Sequence, residues 1–161
     1  MPPPHVFNPD DYLQTSEGRV YTEERNAAAW ERMYRDLDLL LSTAGPETRL
    51  FFVMGVQGGG KTTWIRSNSE ALGPAAIFLD AAVPAKRHRA RALAVARRAG
   101  VRTVAVWINT PLARALAQNS QRPDDEVVPE IAVRSVFSLL EAPDHDEGFD
   151  EVIVVHEPRD A

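Results

Sequence analysis

The residues whose types and spacing promise chemistry form one run, Gly55-Val56-Gln57-Gly58-Gly59-Gly60-Lys61-Thr62. Glycine, four residues, then Gly-Lys-Thr is the Walker A spacing. Each residue type has a physical reason. Glycines let successive backbone N–H groups turn inward toward an anion, and a helix that starts at the lysine adds its positive end. The Lys61 ammonium would then bridge the β- and γ-phosphates of a nucleoside triphosphate, and Thr62 would offer a hydroxyl to Mg²⁺. The expected cradle is Gly55, Gln57, Gly58, Gly59, Gly60, Lys61, Thr62 and Thr63. A turn that merely joined a strand to a helix would give Lys61 and Thr62 no role.

Such a loop works only if a strand delivers it and a helix leaves it. Residues 50–54 are a short continuous apolar run, as expected of a strand buried on both faces, and a helix is expected from Lys61 to about Ala71. A second buried run at 75–79 ends in Asp80. A carboxylate at the carboxyl end of a strand lies at the crevice where α/β sheets take ligands. There Asp80 can hold Mg²⁺ through water, accept the proton of an attacking hydroxyl, or only cap the turn into Ala81 and Ala82. Pro84 suits the first position of a basic helix over 84–99, closed by Gly100, and 101–108 reads as a third strand. Thr110 and Pro111 make a cap-and-first-position start for a helix to about Asn119. An acidic linker, a helix over 129–140 and a strand over 152–155 come after it. Upstream, Thr22 caps a helix over 22–43 that carries Trp30, Met33, Leu37, Leu40 and Leu41 at helical spacing and stops at Gly45-Pro46. Residues 1–20, with four prolines among the first nine positions, read as an irregular arm. Strands alternating with helices predict an α/β fold with a mainly parallel sheet in a three-layer α/β/α arrangement. The expected organisation is the arm and one domain over 21–161, with its nucleotide-binding core at 49–157.

Composition narrows the classes. A chain of 161 residues fits one domain, and its lack of cysteine excludes disulfides, thiolate metal sites and a cysteine nucleophile. The longest apolar runs, 50–56 and 104–108, fall far short of the ~20 residues of a membrane span, so no membrane association is expected. Residues 1–5 have neither the basic nor the apolar part of a leader, which with the missing cysteines points to the cytoplasm. The net charge of −5 argues against a general nucleic-acid coat. A local basic patch stands out at Lys86, Arg87, His88, Arg89, Arg91, Arg97 and Arg98, with acids gathered at 124–126 and 144–151. His5, His88, His145 and His156 show no metal-ligand spacing, and Asp144-His145-Asp146-Glu147 reads as a solvated acidic loop. Ser67 and Ser69 lack the elbow sequence of a serine hydrolase.

The order of motifs also resembles a family. Phe78-Leu79-Asp80-Ala81-Ala82, then Lys86-Arg87-His88-Arg89-Ala90-Arg91 and Ala96-Arg97-Arg98-Ala99-Gly100, are similar to the strand, loop and arginine-rich helix of the polynucleotide-kinase-like P-loop kinases, which often read Asp-Ala-Thr-Asn at the strand end. Zeta-toxin and AAA-type small P-loop kinases are relatives of that family. The likeness continues through Val106-Trp107-Ile108-Asn109-Thr110-Pro111-Leu112, Asn119 with Arg122, Val128-Pro129 and Glu147-Gly148-Phe149-Asp150-Glu151-Val152, and so spans roughly 50–156. It implies a P-loop NTPase fold, ATP and Mg²⁺ as cofactors, and transfer of the γ-phosphate to a hydroxyl. The acceptor is a nucleic-acid 5′ end in some members and a small molecule or sugar nucleotide in relatives. By resemblance Arg122 is the lid arginine that closes over the ATP phosphates, with Arg114 a second candidate.

Two departures open a rival reading. Gln118-Asn119 stands where the family usually has Arg-Asn, and Thr62 and Asp80 are only 18 positions apart, too few for the usual acceptor-binding segment. Either Asp80 serves as acceptor base while Arg87 or Arg91 grips the substrate, or the chain lacks the usual acceptor site and is a weak ATPase or a nucleotide-binding regulatory module with a protein partner. A zeta-toxin-like kinase of a nucleotide sugar is a third reading. The basic helix at 84–99 is the candidate contact for a nucleic-acid end. Residues 1–43 lie outside the likeness and are a source of replacement contacts, with Trp30 and Tyr34 as stacking surfaces and core packing as the expected role of Trp30.

Overall fold

The computed structural model describes residues 3–156; residues 1–2 of the expected arm and 157–161 of the expected domain lie outside the described residues. In chain order the elements are β1 (His5–Phe7), a 3-10 turn (Pro9–Leu13), a small hairpin of β2 (Gln14–Thr15) and β3 (Gly18–Arg19), α1 (Glu23–Ser42), β4 (Arg49–Met54) and α2 (Lys61–Leu72). Then come β5 (Ala76–Asp80), α3 (Lys86–Ala99), β6 (Arg102–Asn109), α4 (Leu112–Ser120), α5 (Glu130–Leu139), a 3-10 turn (His145–Glu147) and β7 (Glu151–His156). The main sheet runs β1-β5-β4-β6-β7, and every pairing in it is parallel.

Period-two alternation along β4 explains the layers. Leu50, Phe52 and Met54 point to one face and pack with Met33, Leu37 and Leu41 of α1 and Ala92, Leu93 and Ala96 of α3. Phe51 and Val53 point to the other face, where Ile65 and Trp64 of α2 cover them. Trp64 sits 6.4 Å from the Phe51 ring and 6.5 Å from that of Phe78, so it packs the helix on the sheet as expected. The chain is therefore an α/β fold with a five-strand all-parallel sheet flanked by helices. Both faces are buried, which is why the strands read as continuous apolar runs. Among the described residues no helix is long and apolar enough to cross a membrane.

Four local expectations change. The arm is not irregular throughout: Val6 pairs with Phe78, and β1 forms the edge of the main sheet. Three residues give no periodic signal, and the strand exists because β5 offers it a ladder. The α3 helix begins at Lys86 rather than Pro84, with Ala85 extended at its cap, because the Pro84 carbonyl accepts from Arg89 Nη2 (2.8 Å) and from the Glu141 N–H (2.8 Å). Thr110 does not cap α4, since its hydroxyl donates to the Gly59 carbonyl at 2.6 Å. The 144–147 segment is solvated only in part, with His145 and Asp146 exposed. Asp144 caps a 3-10 turn, and Glu147 pairs with Arg89 at 2.8 Å, with side chains 5% and 1% exposed. Arg89 Nε also donates to the Val83 carbonyl, so the buried guanidinium is well supplied with acceptors.

Candidate functional site

The loop at 55–60 leaves β4 at the carboxyl end of the sheet and opens α2. Its backbone turns left-handed at Gly58 (φ +77°) and again at Gly60 (φ +107°), the position before Lys61. A Cβ on Gly58 would collide with the Ala115 carbonyl and come within 2.8 Å of the Asn119 nitrogen. Glycine there lets the loop press against α4, in a conformation other residues rarely adopt. Two side chains lock the contact. Thr110 holds the Gly59 carbonyl, and the Gln118 amide satisfies both its groups when its nitrogen is turned to the Gly58 carbonyl and its oxygen to Arg114 Nε, 3.1 Å away.

Lys61, half-buried, donates from Nζ to the carbonyls of Gly55 and Val56, both at 3.3 Å. Burial pushes its ammonium below the ordinary value, the Asp80 carboxylate opposes that shift, and Arg122 adds to it. The Thr62 hydroxyl donates to Asp80 Oδ2 at 3.0 Å, and Asp80 is buried at 4% exposure. A hydroxyl and a carboxylate side by side are hard oxygen donors, the set that suits Mg²⁺. Among the described residues no group of three or more His, Cys, Asp or Glu could hold a metal ion. Amides at the α2 N-terminus can receive phosphate oxygens.

These groups open on a cavity of about 770 Å³. Gln57, Gly58, Gly60, Lys61, Thr62 and Thr63 form one wall and Asp80 with Ala81 and Ala82 the floor. Arg122 enters from the loop after α4, whose ends Asn119 pins by donating to the Val128 carbonyl (2.7 Å) and accepting from the Val128 N–H (3.0 Å). Gly55 and Gly59 lie behind the wall rather than in it. A Cβ on either would meet a carbonyl at 2.9 Å, that of Ile108 for Gly55 and that of Val56 for Gly59.

The substrate arginines are elsewhere. Arg91 pairs with Glu31 of α1 at 2.9 Å and lies 4.3 Å over the Tyr34 ring, while Arg87 is exposed on α3; neither lines the cavity. Tyr34 is thus occupied by Arg91 and by Trp30, whose ring centroid is 5.7 Å away. Trp30 packs against the core, as expected, and also lines the cavity.

The N-terminal segment, expected as a source of replacement contacts, contributes much of the remaining wall. Asn8, Asp10, Arg19 and Asn26 line the cavity. Arg19 reaches Asp10 (3.4 Å) and Glu126 (3.2 Å), and its N–H donates to Asp125 at 2.7 Å. A readable signal existed in Asn8-Pro9-Asp10-Asp11, where the Asn8 side chain caps the following turn by accepting from the Asp10 N–H at 2.9 Å. A second overlooked feature is Val83, at φ 30° in a region that β-branched residues avoid. Arg89 holds its carbonyl at 2.9 Å and so fixes the segment that leaves Asp80. Compared with protein-family models and with curated proteins, the chain gives no match.

Proposed function

We propose that the protein is a Mg·ATP-dependent phosphotransferase acting on a hydroxyl, with a P-loop at 55–62. The observation that supports this most is the convergence at one cavity of a glycine loop opening a helix, Lys61, Arg122 and the Thr62–Asp80 hydrogen bond. Bound Mg·ATP would supply the γ-phosphoryl group, with the metal neutralising its oxygens. Backbone amides of the loop hold the phosphates in place, and the Lys61 ammonium and Arg122 guanidinium balance charge on the transferred group. Thr62 would hold the metal. Asp80, which lines the cavity, would either hold a water of that metal or take the acceptor's proton as the acceptor oxygen bonds to phosphorus and ADP leaves. The protein's contribution is position and electrostatics.

One observation favours a second reading, a nucleotide-binding module without transfer. Gln118 is occupied with the Gly58 carbonyl and Arg114, so that position brings no cation to the phosphates. Calorimetric titration with ATP, with and without Mg²⁺, tests the shared nucleotide site. Lys61→Ala should weaken binding in both conditions, and Thr62→Ala should remove the gain from Mg²⁺. Unchanged affinity in both variants would sink the assignment.

A further inference from the structure

The wall facing the glycine loop belongs to the N-terminal segment. β1 runs parallel to β5 with Phe7 opposite Leu79, so the chain leaving β1 emerges beside Asp80 at the same end of the sheet. Nearby Asp11 registers that closeness, its carboxyl pushed above the ordinary range by burial and then by the Asp80 charge. The wall is acidic. Asp10 stands on the arm side, Asp125 and Glu126 on the lid side, and Asp80 between them. Among the described residues Arg19 is the arm's one cation in the cavity lining, and both its terminal nitrogens are already matched by Asp10 and Glu126. Two buried atoms on residues of the lining, Arg19 Nε and Gln57 Oε1, have no partner in the protein. Meanwhile Lys86, Arg89 and Arg91 of the basic helix are matched by Asp144, Glu147 and Glu31.

On the reading that the glycine loop binds Mg·ATP, we propose that residues 8–30 form the acceptor wall and that the acceptor is a small hydroxyl compound without negative charge, neutral or amine-bearing. A nucleic-acid 5′ end or a sugar nucleotide carries phosphate close to its acceptor hydroxyl. That charge would face Asp10, Asp125 and Glu126, three carboxylates that share the single Arg19, with Asp80 engaged by the metal or the acceptor hydroxyl and Lys61 and Arg122 by the triphosphate. A hydroxyl compound without phosphate meets no such repulsion, and an amine gains from it. Asn26 offers hydrogen bonds, while Trp30, Ala81 and Ala82 offer apolar surface. A cavity of about 770 Å³ is also of small-molecule size, within the ~300–1,000 Å³ range of such sites.

The test uses the full chain with γ-labelled Mg·ATP. Calorimetry with Mg·ATP is read first and judges the nucleotide reading alone; absence of binding overturns both. A metabolite extract is then divided on an anion exchanger into retained and unretained fractions, and each is offered beside 5′-hydroxyl DNA and RNA oligonucleotides. Label on an unretained compound is the expected result. Label confined to retained compounds or oligonucleotides, or no label from any source by a protein that binds Mg·ATP, overturns the acceptor proposal and leaves the nucleotide reading standing. Asn26→Ala and Trp30→Leu, checked for folding by thermal melting, should raise the acceptor KM about tenfold at unchanged Mg·ATP affinity. An unchanged acceptor KM in both folded variants would contradict the wall's role.

Discussion

The glycine-loop wall and the arm wall face each other across one cavity and are fixed by different interactions. Backbone conformation and close contact set the first: Gly58 lies against the Ala115 carbonyl and the Asn119 nitrogen, and Thr110 and Gln118 hold loop carbonyls. Side-chain charges set the second: Arg19 joins Asp10 to Glu126, residues far apart in the chain, while Arg25 of α1 donates to the carbonyls of Val20 (2.9 Å) and Leu13 (3.2 Å). The Tyr12 hydroxyl adds a bond to Asp36 at 2.5 Å, which together with burial pushes its ionisation up to about 12. Packing of that kind changes little with salt or pH, whereas ion pairs respond to both. The glycine-loop half is therefore expected to respond little to salt and pH, and the arm half more.

Substitutions that break one wall and spare the other sharpen this contrast. The largest effect is expected from Gly58→Val, which places a β-branched side chain at φ +77° against α4. It should cost about 3 kcal/mol or more by urea denaturation and abolish Mg·ATP binding. Close to it in size is Arg89→Met, which leaves Glu147 buried without its partner and releases Val83. A loss of about 3–5 kcal/mol is expected, and a loss below about 1 kcal/mol would show that the pair does not anchor the segment after Asp80.

Arg19→Met comes next. It should lower stability by about 1–3 kcal/mol, since its carboxylate partners become uncompensated, and shift the acceptor KM, downward for an amine-bearing acceptor, at constant Mg·ATP affinity. Equal weakening of both ligands would mean that the two walls are not separable. Smallest is the effect of Asp11. Its folded-state pKa is shifted upward, so the folded protein binds this proton more tightly than the unfolded chain. The charged form therefore opposes folding at neutral pH, and the penalty is relieved as pH falls through the raised value. Asp11→Asn should gain stability at neutral pH and lose that advantage on acidification. Neighbouring atoms crowd Asp11 only in part and its side chain keeps solvent contact that screens it, so the gain should stay under about 1 kcal/mol. A gain independent of pH would point to another cause.

The same contrast explains what could be read from the sequence. The loop wall is coded by consecutive residues with a distinctive spacing, and the runs on either side are long enough to show strand and helix. Lys61, Thr62 and Asp80 accordingly lie together where the spacing predicted. The arm wall depends on three residues of β1 finding β5, an alignment that no local periodicity reveals. Arg87 and Arg91 looked available because a run of basic residues does not show its partners, and the partner of Arg91, Glu31, lies 60 positions away. Glu147 was read as solvated for the same reason: its mate is 58 positions upstream. Contacts at such separations follow from topology.

The central claim, phosphate transfer by the 55–62 loop, is tested most directly by incubating wild type and Lys61→Ala with γ-labelled Mg·ATP and the unretained metabolite fraction. A labelled product formed by wild type and reduced about 10²–10³-fold in the folded variant is the predicted result. Product formed at the same rate by both would contradict it.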